Sequence, residues 1–67
     1  MKIFELRITF GENYLLYLAT YTIEEAARQR FEHLNKIHGD DLKTAKIIVR
    51  TPDDNGEFML RDMIYLK

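Results

Sequence analysis

The chain has 67 residues, with ten Lys or Arg against eleven Asp or Glu, a net charge of −1 and no cysteine. A core of this size supplies only about 3 to 5 kcal/mol. Disulfides and thiolate metal sites are excluded, and the balanced charge gives no long-range field for nucleic acid or an anionic membrane. No apolar run could span a bilayer and the first residues lack a signal-peptide pattern, so the expectation is a cytoplasmic protein with one domain over residues 1–67.

Residues 2 to 10 alternate, with Phe4, Leu6, Ile8 and Phe10 on one side and Glu5, Arg7 and Thr9 on the other, the period of a half-buried strand. Gly11, Glu12 and Asn13 supply turn chemistry. From Tyr14 to Tyr21 alternation is lost: Tyr14, Leu16 and Leu18 are matched by Leu15, Tyr17, Ala19 and Tyr21, so this second strand is apolar on both faces.

Thr22 followed by Glu25 has the spacing of a capping box and predicts a helix start. Ile23, Ala26, Ala27, Phe31, Leu34 and Ile37 fall on one stripe at helical period, and Gly39 is expected to end the helix in the left-handed conformation. Ala45, Ile47 and Val49 alternate with Lys46, Ile48 and Arg50 in a third strand that stops at Pro52. The run Pro52 to Gly56 is a hairpin loop. In the last strand Phe58, Leu60, Asp62, Ile64 and Leu66 share a core-facing side, with Met59, Arg61, Met63 and Tyr65 opposite.

The pattern predicts an α+β domain of ββαββ order, a four-stranded antiparallel sheet with one helix packed on one face. Two orders are compatible, 1-2-4-3 and 2-1-3-4. The two-sided apolar character of the second and fourth strands favours 1-2-4-3, which puts them in the middle. Leu16, Leu18, Ile48, Met59, Met63 and Tyr65 then form a protein interface on the uncovered face, bordered by Glu5, Arg7, Lys46 and Arg50. The parity of the second strand stays open, with Tyr17 and Tyr21 as substitutes for Leu16 and Leu18.

Other residues carry chemistry in principle. Arg30 lies inside the helical stripe and Asp62 is the one charge on the core side of the last strand, so a buried Arg30–Asp62 ion pair is a candidate against an Arg30 that snorkels to solvent. His33 and His38 point about 140° apart and cannot share a metal in one subunit. No serine or cysteine exists to act as a nucleophile, and the carboxylates Asp40, Asp41, Asp53, Asp54 and Glu57 read as turn formers because they lack calcium-loop spacing. With three glycines there is no phosphate-cradling loop.

No catalytic, cofactor or metal site is therefore expected. The function that fits is a small non-enzymatic interaction module, acting as a homodimer through the uncovered sheet face or on another protein. Its size is that of many phage or mobile-element accessory proteins that modulate a host protein. The alternative is a single-stranded nucleic-acid binder that stacks bases on Tyr14, Tyr17, Tyr21 and Tyr65 and meets phosphates with Arg7, Lys46, Arg50 and Arg61. Near-neutral charge and the lack of an RNP-like stretch weigh against it.

Overall fold

A computed structural model describes all residues, 1–67. Its elements are β1 (Ile3–Phe10), β2 (Leu15–Tyr21), α1 (Glu24–His38), β3 (Leu42–Pro52) and β4 (Phe58–Tyr65). The four strands form one antiparallel sheet with the helix on one face, an α+β fold.

The strand order is β2-β1-β3-β4, not the favoured 1-2-4-3. β1 and β3 occupy the middle, and the two strands apolar on both faces lie at the edges. The width of a helix explains this. An α-helix is about 10 Å across with its side chains and strands are about 4.8 Å apart, so one helix shields roughly two strands. The pair beneath it is the pair with clean alternation. Phe4, Leu6 and Ile8 of β1 and Ala45, Ile47 and Val49 of β3 are all buried, with Ala27, Phe31 and Leu34 of α1 packed above them. Because β2 and β3 are both antiparallel to β1, they run parallel to each other, and α1 carries the chain across β1 from one to the other. The helix lies against β2, β1 and β3 and does not reach β4.

Both ends of α1 depart from expectation. Ile23, in extended conformation, is the residue before the helix, and no side chain caps it. The helix thus starts one residue too late for the Thr22 hydroxyl to take the capping position. Gly39 is right-handed (φ −54°, ψ −37°). Its carbonyl accepts from the Leu42 amide at 3.3 Å and from Lys67 Nζ at 3.1 Å, which sets a cation near the helix's negative end. A methyl group at Gly39 would sit 2.5 Å from the Asn35 carbonyl oxygen. Close approach, and not positive φ, is what requires glycine here.

A bulge shapes the last hairpin. Val49 pairs with Asp62 and Arg50 with Leu60, so Arg61 is the extra residue. Beyond it the faces of β4 exchange: Leu60 and Phe58 join the uncovered face, and Met59 moves to the helix side opposite Thr51. Asp53 organises the connecting loop, its Oδ1 accepting from the Asn55 and Glu57 amides at 2.8 and 2.9 Å. That carboxylate is committed to turn formation.

Candidate protein-interaction surface

Register on the uncovered face can be followed across the sheet in rows. Leu18, Arg7, Lys46 and Tyr65 form one row; Thr20, Glu5, Ile48 and Met63 form the next; Ile3, Arg50 and Leu60 form a third. The apolar centre with a charged border is therefore inverted. Glu5, Arg7, Lys46 and Arg50 run down the middle on β1 and β3, while apolar groups stand on the outer strands, Leu16 and Leu18 on β2 and Leu60, Met63 and Tyr65 on β4. Three strand spacings, about 14 Å, separate the two apolar groups.

The charged middle is internally matched. Glu5 accepts from Arg7 Nε at 2.8 Å and lies 4.0 Å from Arg50 Nη2. Between these residues Ile48 is only 4% exposed although no helix covers it. Its neighbours in the sheet are Glu5 and Met63 in its own row and Lys46 and Arg50 along its own strand, and long side chains shelter apolar groups with their stems. Ile48 is consequently unavailable as a contact residue. Of the six residues expected at the interface, Leu16 and Leu18 share one edge of the open face, Met63 and Tyr65 share the other, Ile48 is buried, and Met59 lies on the reverse side because of the Arg61 bulge.

Parity of β2 is settled by its pairing. Leu15, Tyr17, Ala19 and Tyr21 face the helix side, opposite Phe10, Ile8, Leu6 and Phe4. Tyr17 is reached by Arg30, whose Nε donates to the phenol oxygen at 3.1 Å. That bond holds the Tyr17 hydroxyl below its ordinary pKa, whereas burial first, and then the neighbouring Tyr17, raises that of Tyr21. The Arg30–Asp62 pair does not form. Arg30 is bound over β2 and Asp62 lies on β4 at the opposite edge, where its Oδ1 accepts from the Met63 amide at 2.8 Å. No charged residue is buried.

The four tyrosines do not make a stacking row. Tyr14 is in the first turn, Tyr17 and Tyr21 face the helix, and Tyr65 alone stands on the open face. His38 packs edge-on against Phe10, with ring centroids 6.1 Å apart.

Several exposed apolar residues were not anticipated. Ile23 and Ile37, expected in the core stripe, are 64% and 56% exposed. They are spaced by seven from Arg30 and so share its flank of the helix, the one that reaches Tyr17 on β2. The opposite flank is polar: Glu24 and Arg28 form an ion pair at 2.8 Å, and Asn35 Oδ1 lies 3.5 Å from Lys67 Nζ. The 23-30-37 spacing was the sequence signal for this division. Leu15, 69% exposed, adds to the β2 side. An open hollow of about 320 Å³ between Phe10, Leu15, Tyr17, Leu34, His38 and Asp41 continues it toward the helix C-terminus.

Comparison with protein-family models, with curated proteins and with solved structures returns no match. No helix is long and apolar enough to cross a membrane.

Proposed function

We propose that this chain is a small non-enzymatic protein-interaction module of the cytoplasm, working through apolar side chains at the edges of its sheet. The observation that supports the reading is the number of large apolar groups left in solvent beside strands that are otherwise well paired: Leu15, Leu16, Leu18, Met59, Leu60 and Tyr65 are each at least half exposed. Exposed apolar surface gathered in one place marks where another molecule excludes water, and here it gathers at two, the β2 edge and the β4 edge. Methionine and tyrosine, present at the β4 edge, suit adaptable contact.

The test combines sedimentation of the purified chain with affinity capture from its source cell, repeated with Leu18→Lys and Tyr65→Asp. Self-association or a specific captured partner, lost in at least one variant that retains its far-ultraviolet spectrum, supports the reading. A monodisperse monomer that captures nothing defeats it.

A second reading, binding of single-stranded nucleic acid, draws on one arrangement: Arg7, Lys46 and Tyr65 share a row on the open face, with Arg50 on the same face two rows away. Its signature is retention of single strands that weakens with salt and with Arg50→Ala. Failure to bind at low salt removes it.

A further inference from the structure

The two outer strands differ in how they guard their unpaired backbone. A sheet edge presents a row of free N–H and C=O groups that any extended chain can pair with, and proteins protect it with charge, bulges or a cover. β4 has such protection, with the Arg61 bulge, the charges of Arg61 and Asp62 within the strand, and Glu57 just before it. β2 has none. Its sequence Leu15–Tyr21 contains no charge, no proline and no glycine, and its only partner is β1.

The unguarded edge continues into the second layer. Above β2 lies the helix flank carrying the exposed Ile23 and Ile37, with Arg30 midway between them and drawn down onto Tyr17 of β2, so the margin is two layers tall, strand below and helix above, with one charge at its middle. An isolated extended peptide would satisfy the strand and leave both isoleucines in water. The occupant must itself present a strand edge with an apolar helix flank over it, and the β2 margin of a second copy has that form.

We infer that the protein forms a two-fold symmetric dimer by antiparallel pairing of β2 with β2 of a second copy, giving one continuous eight-stranded sheet with Ile23 and Ile37 of the two helices in mutual contact. The inference rests on the reading of the chain as an interaction module and names its partner and surface. Antiparallel self-pairing is isologous, each strand meeting itself in reverse. With Leu18 near the axis, Leu16 of one copy lies beside Thr20 of the other and no charge in the strand meets its like, while the two Arg30 side chains, nearest the axis in the helix layer, stay drawn onto the Tyr17 phenols of their own copies. This is a different association from stacking of the open faces, where Glu5, Arg7, Lys46 and Arg50 would be desolvated at the centre of the contact. A stable interface takes about 800 Å² from each partner, about a sixth of this chain's 4789 Å², and the strand edge alone would be too small without the helix flank.

The experiment is sedimentation equilibrium from about 1 to about 500 μM, the range in which a modest interface is populated, on the wild type and on Leu18→Lys, Ile37→Glu and Met63→Asp, each checked for fold by circular dichroism. The expected result is a wild-type dimer, a loss of affinity of about tenfold or more in Leu18→Lys and in Ile37→Glu, and an unchanged dimer in Met63→Asp. If Leu18→Lys does not fold, Ile37→Glu decides, since its side chain projects from the helix flank outside the core. A dimer that resists the decisive variant, or one broken only by Met63→Asp, overturns edge pairing. A wild-type monomer throughout the range also overturns it, yet leaves the interaction reading standing if a foreign partner is captured.

Discussion

Arg30 Nε donates to the hydroxyl of Tyr17 at 3.1 Å, tying the exposed flank of the helix to the outermost strand beneath it. The bond favours the ionised phenol, and Tyr17 is held below its ordinary pKa by it. A lowered value in the folded state means that ionised Tyr17 contributes stability above the unfolded value of about 10, and that this contribution disappears as pH falls through the folded value. Tyr21, raised by burial, does the reverse: its contribution is present below about 10 and is lost as pH rises through its folded value. In an alkaline titration followed by tyrosinate absorbance, Arg30→Ala should move the earliest step to higher pH, and Tyr17→Phe should delete it. An unchanged titration in Arg30→Ala would contradict the pairing.

The core beneath the helix depends on few residues. Ile47 is fully buried between β1 and β4 and under α1. Ile47→Val should lower stability by about 1 kcal/mol, and Ile47→Ala by about 2 to 5 kcal/mol, comparable with the whole stability of a domain this small. Urea denaturation should show the midpoint of the valine variant shifted at constant slope, with the alanine variant largely unfolded before denaturant is added.

Tyr14 has a left-handed backbone (φ 52°) in the first turn while its side chain is 64% exposed. A side chain in that region is strained and little packing is at stake, so Tyr14→Gly should raise the urea midpoint by the equivalent of about 0.5 to 1 kcal/mol. A lower midpoint would mean that the ring makes a contact worth more than the strain.

Gly39 approaches the Asn35 carbonyl oxygen too closely for a methyl group. Gly39→Ala should destabilise the protein even though its dihedral angles suit alanine, the opposite of the usual gain on replacing a right-handed glycine. Lys67→Met, which removes the ammonium from the Gly39 carbonyl, should cost about 0.3 to 1 kcal/mol. Thermal melts of the two variants and their double would show whether the losses are separate.

Glu5 is the one acidic group among Arg7, Lys46 and Arg50 on the open face. Glu5→Gln leaves the three cations adjacent and should lower stability by about 1 kcal/mol or less at low ionic strength, the loss shrinking in high salt. A salt-independent loss would indicate packing and not charge.

Periodicity within single segments revealed every element of this fold, because burial on one side of a strand or helix is written in residues two, or three and four, apart. All four strands and the helix were legible in that way, as was the presence of apolar surface that one helix could not cover. Which strands flank which is a property of pairs remote in sequence, and both antiparallel orders satisfy the same local patterns. The clean alternation of Phe4, Leu6 and Ile8 and of Ala45, Ile47 and Val49 was the mark of strands lying under the helix. The two-sided character of β2 and β4 marked strands at the margin, and reading it as centrality exchanged the middle of the open face for its edges. Tertiary structure also decided that Arg61 bulges and turns Met59 away from Met63, that Ile48 is sheltered by the side chains around it, and that Arg30 binds Tyr17 while Asp62 stays at the far edge. Each depends on what a neighbouring strand or helix places beside the residue, and no single segment contains that information.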